Sequence, residues 1–174
     1  NAFSFAARIT DHEGKGAAHF IMHQGGSDWL GYRLEIRSGP RPVVVLTRRG
    51  SSGYKDITKV EAPGFTVGKQ HELRWARLSD GQMFVILNGE PLITSRDTVF
   101  RGDWSGFAFF NAGGEIALGN GCINAVTGVA NISASMDVQR PVPFDLLILD
   151  EINQRRSVFF GLQKLSRDFH QVRF

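Results

Sequence analysis

Through the first two-thirds of the chain, apolar and polar side chains alternate with a period of two rather than 3.6. Phe3, Phe5 and Ala7 alternate with Ser4, Ala6 and Arg8, and Leu30, Tyr32, Leu34 and Ile36 alternate with Arg33, Glu35 and Arg37. A period of two sends successive side chains to opposite sides of a strand, so each stretch predicts a strand with one buried face. Residues 17–24, the β-branched run 43–47 and a weaker stretch at 54–60 read the same way. Breaks rich in Gly, Ser, Asp and Pro separate them at 11–16, 25–28, 38–40 and 50–53.

A hairpin follows: residues 71–78, the turn Ser79-Asp80-Gly81, then residues 82–87. Asn88-Gly89 is a two-residue turn signal, because both residues tolerate the positive φ of a type I′ turn. Residues 104–110 and 115–118 predict another strand pair, joined through Asn111-Ala112-Gly113-Gly114. Strands every 8–12 residues with glycine turns indicate an all-β, antiparallel sandwich or barrel. Further on, Ile132, Ala134, Met136 and Val138 predict a strand, and Pro141 and Pro143 mark a joint. Residues 144–152 fit a strand or a helix opening. Phe159, Leu162, Leu165, Phe169 and Val172 fit a helical stripe as well as a strand. The chain reads as a sandwich core at 1–126 and an extension at 127–174 that completes strands or caps the same domain with a helix.

Composition narrows the class. The 174 residues include 14 Phe and 20 Gly, enough to fill a space between two sheets and to turn the strands. The formal net charge is only +3 and no run of five like charges occurs, which excludes the basic stripe of a nucleic-acid binder. No apolar run approaches the ~20 residues of a membrane-spanning helix. The single Cys122 excludes an internal disulfide framework and a cysteine-based zinc site. The chain opens at Asn1 with Phe3 already in a strand pattern, which points to a processed or excised chain.

The segment His71-Glu72-Leu73-Arg74-Trp75, the turn Asp80-Gly81 and the run through Asn88-Gly89 to Ile93 resemble the concanavalin A-like lectin/glucanase superfamily. That superfamily includes laminin-G-like modules and 3-keto-disaccharide hydrolase-like domains. Gly106-Phe107-Ala108-Phe109-Phe110-Asn111 and Glu115-Ile116-Ala117-Leu118-Gly119-Asn120 resemble its closing strands, and residues 3–9 an early one. The resemblance covers about residues 1–125 and implies a jelly-roll sandwich. It favours an extracytoplasmic setting, and calcium enters through it alone. No cofactor is otherwise expected, and Asp11, Asp28 and Asp103 stand singly.

Function has to come from side chains, since this fold hosts many. The Glu-x-Asp-x-x-Glu strand of a retaining sandwich glycosidase is absent, and Asp150 and Glu151 are adjacent rather than two apart. The strings of sandwich lyases and the Gly-x-Ser-x-Gly elbow are absent as well. His19 and His23 share a strand face, too widely spaced for one metal on a regular strand, and suit sugar hydroxyls instead. Sugar rings stack on aromatic faces while their hydroxyls need planar polar partners. Trp29 and Trp104, both at loop-to-strand junctions, are therefore the expected platforms, with His23, Arg33, Glu35, Arg37 and Asn111 as hydrogen-bonding partners on a concave face. Trp75 reads as core. The leading expectation is a carbohydrate- or polysaccharide-recognising module. One alternative is an enzyme cleaving a glycosidic bond, with Glu35 and His23 as its catalytic candidates; the other is a protein-interaction module of laminin-G-like type.

Overall fold

A computed structural model describes residues 2–24, 30–102, 104–127, 130–136, 147–151, 155–160 and 169–173. They form strands without a helix: β1 (Phe3–Asp11), β2 (Ala17–Gln24), β3 (Gly31–Arg37), β4 (Val43–Gly50), β5 (Gly53–Glu61), β6 (Gln70–Arg77), β7 (Gln82–Leu87), β8 (Glu90–Arg96), β9 (Trp104–Asn111), β10 (Ile116–Thr127), β11 (Ala130–Met136), β12 (Leu147–Glu151), β13 (Arg155–Phe160) and β14 (Phe169–Arg173). One sheet has eight strands in the order β12-β13-β11-β10-β1-β6-β7-β8, and the other six in the order β14-β9-β2-β3-β4-β5. All pairings are antiparallel except β11 with β13.

The period-two residues meet between the sheets. Phe3, Phe5 and Ile9 of β1, Leu73 and Trp75 of β6 and Val85 of β7 face Phe20 and Met22 of β2, Leu34 of β3, Leu46 of β4 and Phe107 of β9. Phe5 spans the gap, its ring centroid 4.8 Å from Phe20 and 5.0 Å from Phe107. Offset ring pairs of this kind add about 1 kcal/mol each beyond the area they bury.

The turns follow the sequence in most places. Asn88 and Gly89 take φ of 53° and 85°, and Leu87 pairs with Glu90 around them. Asn88 also accepts the Glu72 amide on Oδ1 and contacts His71 Nδ1 through Nδ2. One expectation is corrected. The stretch around Asn111 is not a hairpin: β9 pairs with β2 and β14 while β10 pairs with β1 and β11, so the chain crosses between sheets there. Buried Asn111 donates to the Gly114 carbonyl and accepts the Gly113 amide, and both glycines have positive φ, which turns the chain over the sandwich edge. The C-terminal stripe is strand rather than helix where it is described: Phe159 falls in β13, and Phe169 and Val172 fall in β14. Leu162, Leu165 and Val138 lie outside the described residues. Among the described residues, no helix is long and apolar enough to cross a membrane.

Candidate functional site

The residues that face away from the core on the six-stranded sheet form rows across the strands, because directly opposed residues of an antiparallel pair share a face. One row runs Phe110, His19, Glu35, Val45, Lys59; the next runs Ala108, Ile21, Arg33, Thr47, Asp56; the third runs Gly106, His23, Gly31, Arg49, Tyr54. Gly31 has φ 148°, and a Cβ there would run into the Met22 carbonyl oxygen, so β2 and β3 start their pairing only with glycine at that position.

Glu35 is the centre of this face. Arg37 Nε lies 2.6 Å from its Oε1 and Arg37 Nη2 3.3 Å from Oε2, so both carboxylate oxygens accept from one guanidinium. Arg33 Nη2 is 3.7 Å and His19 Nδ1 4.0 Å from the same Oε2. Arg33 leans on the Tyr54 ring, its guanidinium carbon 4.2 Å from the centroid, and Arg49 lies 4.8 Å from it while donating to the Tyr54 hydroxyl. His19, Glu35 and Thr47 are buried, whereas Tyr54 is 49% exposed. His19 Nδ1, Arg33 Nε and Thr47 Oγ1 are buried yet have no hydrogen-bond partner. Each such orphan costs about 1–3 kcal/mol against a satisfied group, and three on one face call for partners from outside the sheet.

The charges are set by burial and by the arginines. Burial pushes the His19 imidazole down to about 4; the Glu35 charge opposes this, and the Arg33 and Arg37 charges reinforce it. Burial, the largest single influence, would raise the Glu35 carboxyl, but the Arg37 hydrogen bond and the charges of His19 once protonated, Arg37 and Arg33 together outweigh it. Glu35 is therefore held below the usual carboxylate range. At neutral pH the face holds a neutral histidine and an ionised glutamate.

Both shifts favour the fold at higher pH. The unfolded histidine takes its proton near 6.5 and the folded one only near 4, so the unfolded chain binds more protons across that interval. Stability should therefore fall by about 3 kcal/mol as pH is lowered from 6.5 to 4, at ~1.4 kcal/mol per unit. Glu35 adds a further loss below the ordinary carboxylate value. Urea midpoints at pH 7, 6, 5 and 4 should drop for the native chain and stay nearly level for His19→Gln down to pH 5. Parallel profiles for the two proteins would show that His19 is not the group responsible.

The expected site residues separate into three groups. Arg33, Glu35 and Arg37 are brought together as described, with His19 directly opposite Glu35 and His23 two rows on, buried beside Gly31. Trp104 is corrected: it is 1% exposed and packed edge-on against Phe3 at 5.2 Å, so neither face of its indole is open to a sugar ring. Asn111 is corrected too, since its side chain serves the sheet-crossing turn. Trp29 lies outside the described residues. Tyr54, Thr47 and Arg49 escaped the sequence reading. Their signal was the four-residue turn 50–53, which pairs Gly50 with Gly53 and so brings Arg49 opposite Tyr54.

Among the described residues no three His, Cys, Asp or Glu side chains cluster. Asp11 Oδ1 instead accepts the Glu13 and Gly14 amides, and Asp28 and Asp103 lie outside the described residues. A cavity of about 330 Å³ opens elsewhere, lined by Pro40, Arg41, Pro42, Glu61, Pro63 and Phe65 among others, and includes none of the residues around Glu35.

No protein-family model and no curated protein sequence matches the chain. Solved structures do. A carbohydrate-binding module from Bacillus subtilis superposes with a TM-score of 0.54 at 18% identity, over 67% of this chain and 71% of its own. Sheep galectin-11, in complex with glycerol, gives 0.53 at 16% identity over 70% and 89%. A Caenorhabditis elegans galectin gives 0.52 at 15% identity over 68% and 79%. The fold is the concanavalin A-like jelly roll that these proteins share.

Proposed function

We propose that the chain is a carbohydrate-recognising module of a larger or extracytoplasmic protein, and that it binds sugar on the outward face of the six-stranded sheet. One observation carries the reading. His19 Nδ1, Arg33 Nε and Thr47 Oγ1 are orphaned beside the engaged carboxylate of Glu35, under a half-exposed Tyr54. A saccharide supplies what this surface lacks: hydroxyls that both donate and accept, and a ring whose CH face lies on an aromatic. The structural neighbours include a carbohydrate-binding module and two galectins, which agrees with this use of the fold.

Glycoside cleavage is a weaker fit. A glycosidase needs a carboxyl group that stays protonated to act as acid, and a second carboxylate across the bond. Glu35 is held ionised, with both oxygens taken by Arg37.

A glycan array followed by titration of the best ligand tests the proposal. Tyr54→Ala should weaken binding about tenfold, or 1.4 kcal/mol, with only a small change in the denaturation midpoint because the ring is half-exposed and its guanidinium contacts are worth about 0.5–1 kcal/mol each. Absence of binding to any glycan by the folded chain would refute the reading, and so would full affinity in Tyr54→Ala.

A further inference from the structure

The order of layers on this face says something about the ligand. Around Glu35 the groups that meet solvent are cationic or aromatic: the Arg37 side chain is 48% exposed, Arg33 22%, and Tyr54 stands beside them, while the exposed carboxylate of the face, Asp56, stands at the β5 end of the row beyond Thr47. The Glu35 carboxylate lies beneath, with its side chain 7% exposed. A ligand arriving from solvent therefore meets guanidinium before carboxylate.

The two arginines are not equivalent. Arg37 takes both oxygens of Glu35, while Arg33 stands 3.7 Å from Oε2, beyond a hydrogen bond, and its Nε has no partner. With His19 neutral, Arg37 holds both oxygens of Glu35 and also feels the charge of Asp56, whereas Arg33 has only its 3.7 Å share of Glu35, so the less compensated positive charge is on Arg33. Asp56, the next carboxylate along the row, makes no ion pair with it. What holds Arg33 is the face of Tyr54. A ring contact at a half-exposed site is weaker than a charge-assisted pair, and the planar guanidinium fork matches a carboxylate or a sulfate two bonds at a time. Arg33 is thus a surplus cation, held by an easily broken contact beside the ring on which a sugar would lie. A neutral sugar would leave that charge sharing the Glu35 carboxylate with Arg37; an anionic one would give it a counter-ion of its own.

We propose that the Arg33–Tyr54 corner takes an acidic sugar, one that carries a carboxylate or a sulfate, with Arg33 gripping the anionic group. This rests on the carbohydrate reading above and names the ligand class for the same face.

The test titrates the full chain with three oligosaccharide sets of matched length: neutral, uronate-containing and sulfated. At least one acidic set should bind ten times more tightly than the neutral one in 0.15 M salt, and comparing the two acidic sets identifies the anion. Arg33→Gln should remove that preference, weakening the acidic set far more than the neutral one. Arg33→Lys should keep part of it, and Arg101→Gln, a change at an exposed loop arginine, should keep all of it. Equal binding of neutral and acidic sets, or an acidic preference that survives Arg33→Gln, overturns the inference and leaves the carbohydrate reading standing. No binding of any set overturns both.

Discussion

Trp104→Ala is expected to cost about 3–5 kcal/mol of stability, the range for deleting a large aromatic from a packed interior. At this chain length that lowers the melting temperature by roughly 10 °C. The indole fills the space between the sheets at the start of β9, with Phe3 at 5.2 Å, the Tyr32 ring at 5.9 Å and the Arg77 guanidinium at 5.6 Å. Phe3 is also edge-on to Trp75 at 4.8 Å, so truncating Trp104 loosens a chain of rings rather than one contact. Trp104→Phe keeps a ring in the same space and should recover most of the loss. The pair of variants separates core from platform. A sugar platform would lose affinity in Trp104→Phe at nearly native stability; a core residue loses stability in Trp104→Ala and keeps its affinity in Trp104→Phe. Calorimetry and ligand titration on both proteins decide between them. Native stability in Trp104→Ala would reverse the assignment made from the structure.

That tryptophan shows which inferences the sequence could carry. Its neighbours in the chain, Arg101, Gly102 and Asp103, place it at a loop-to-strand junction, and a junction is where a sandwich displays side chains. Yet the alternation from Trp104 itself puts it on the side of Phe107 and Phe109 only after one register irregularity, where β2 slips against β9 between His23 and Gln24. Strict period-two counting cannot see such a slip. Where the strands are regular the reading held: Leu34 and Ile36 face inward, Arg33, Glu35 and Arg37 outward, and Asn88-Gly89 turns as both residues allow. Which strands pair was less legible. Asn111 to Gly114 looks like a hairpin locally, and only the partners of β9 and β10 reveal that the chain changes sheets there. The candidate site was half legible for the same reason. Arg33, Glu35 and Arg37 share one strand, so spacing finds them. Tyr54, Thr47 and Arg49 join them through cross-strand register, which depends on how the 50–53 turn closes.

Arg77→Ala is expected to be as damaging as loss of the tryptophan, through a different term. His71, Leu73, Trp75 and Arg77 fall on one face of β6 by simple alternation, and that face is the core, so the arginine is carried inside and is 1% exposed. It can stay there because both terminal nitrogens are used: Nη1 donates to the Leu78 carbonyl, and Nη2 to the carbonyls of Asp97 and Phe100. Asp97 meanwhile accepts from the Tyr32 hydroxyl at 2.8 Å and pairs with Arg48, so residues from both sheets converge on the segment that leads from β8 to β9. Burial, followed by the hydrogen bond and charge of Asp97, pushes the Tyr32 phenol up to about 12, which keeps this network uncharged at Tyr32 through the whole physiological range. Removing the guanidinium strands those carbonyls and empties the space beside Tyr32 and Trp104. Losing the packing of a large buried side chain and stranding its carbonyl partners together cost about 3–5 kcal/mol, a large share of the ~5–15 kcal/mol of a typical domain. Arg77→Met refills the space but restores no donor, so it should recover the packing share and remain about 2 kcal/mol below native, the cost of stranded buried carbonyls. Equilibrium urea unfolding of the two variants reads both quantities. If Met restored full stability, the carbonyl contacts would contribute nothing and Arg77 would be held by packing alone.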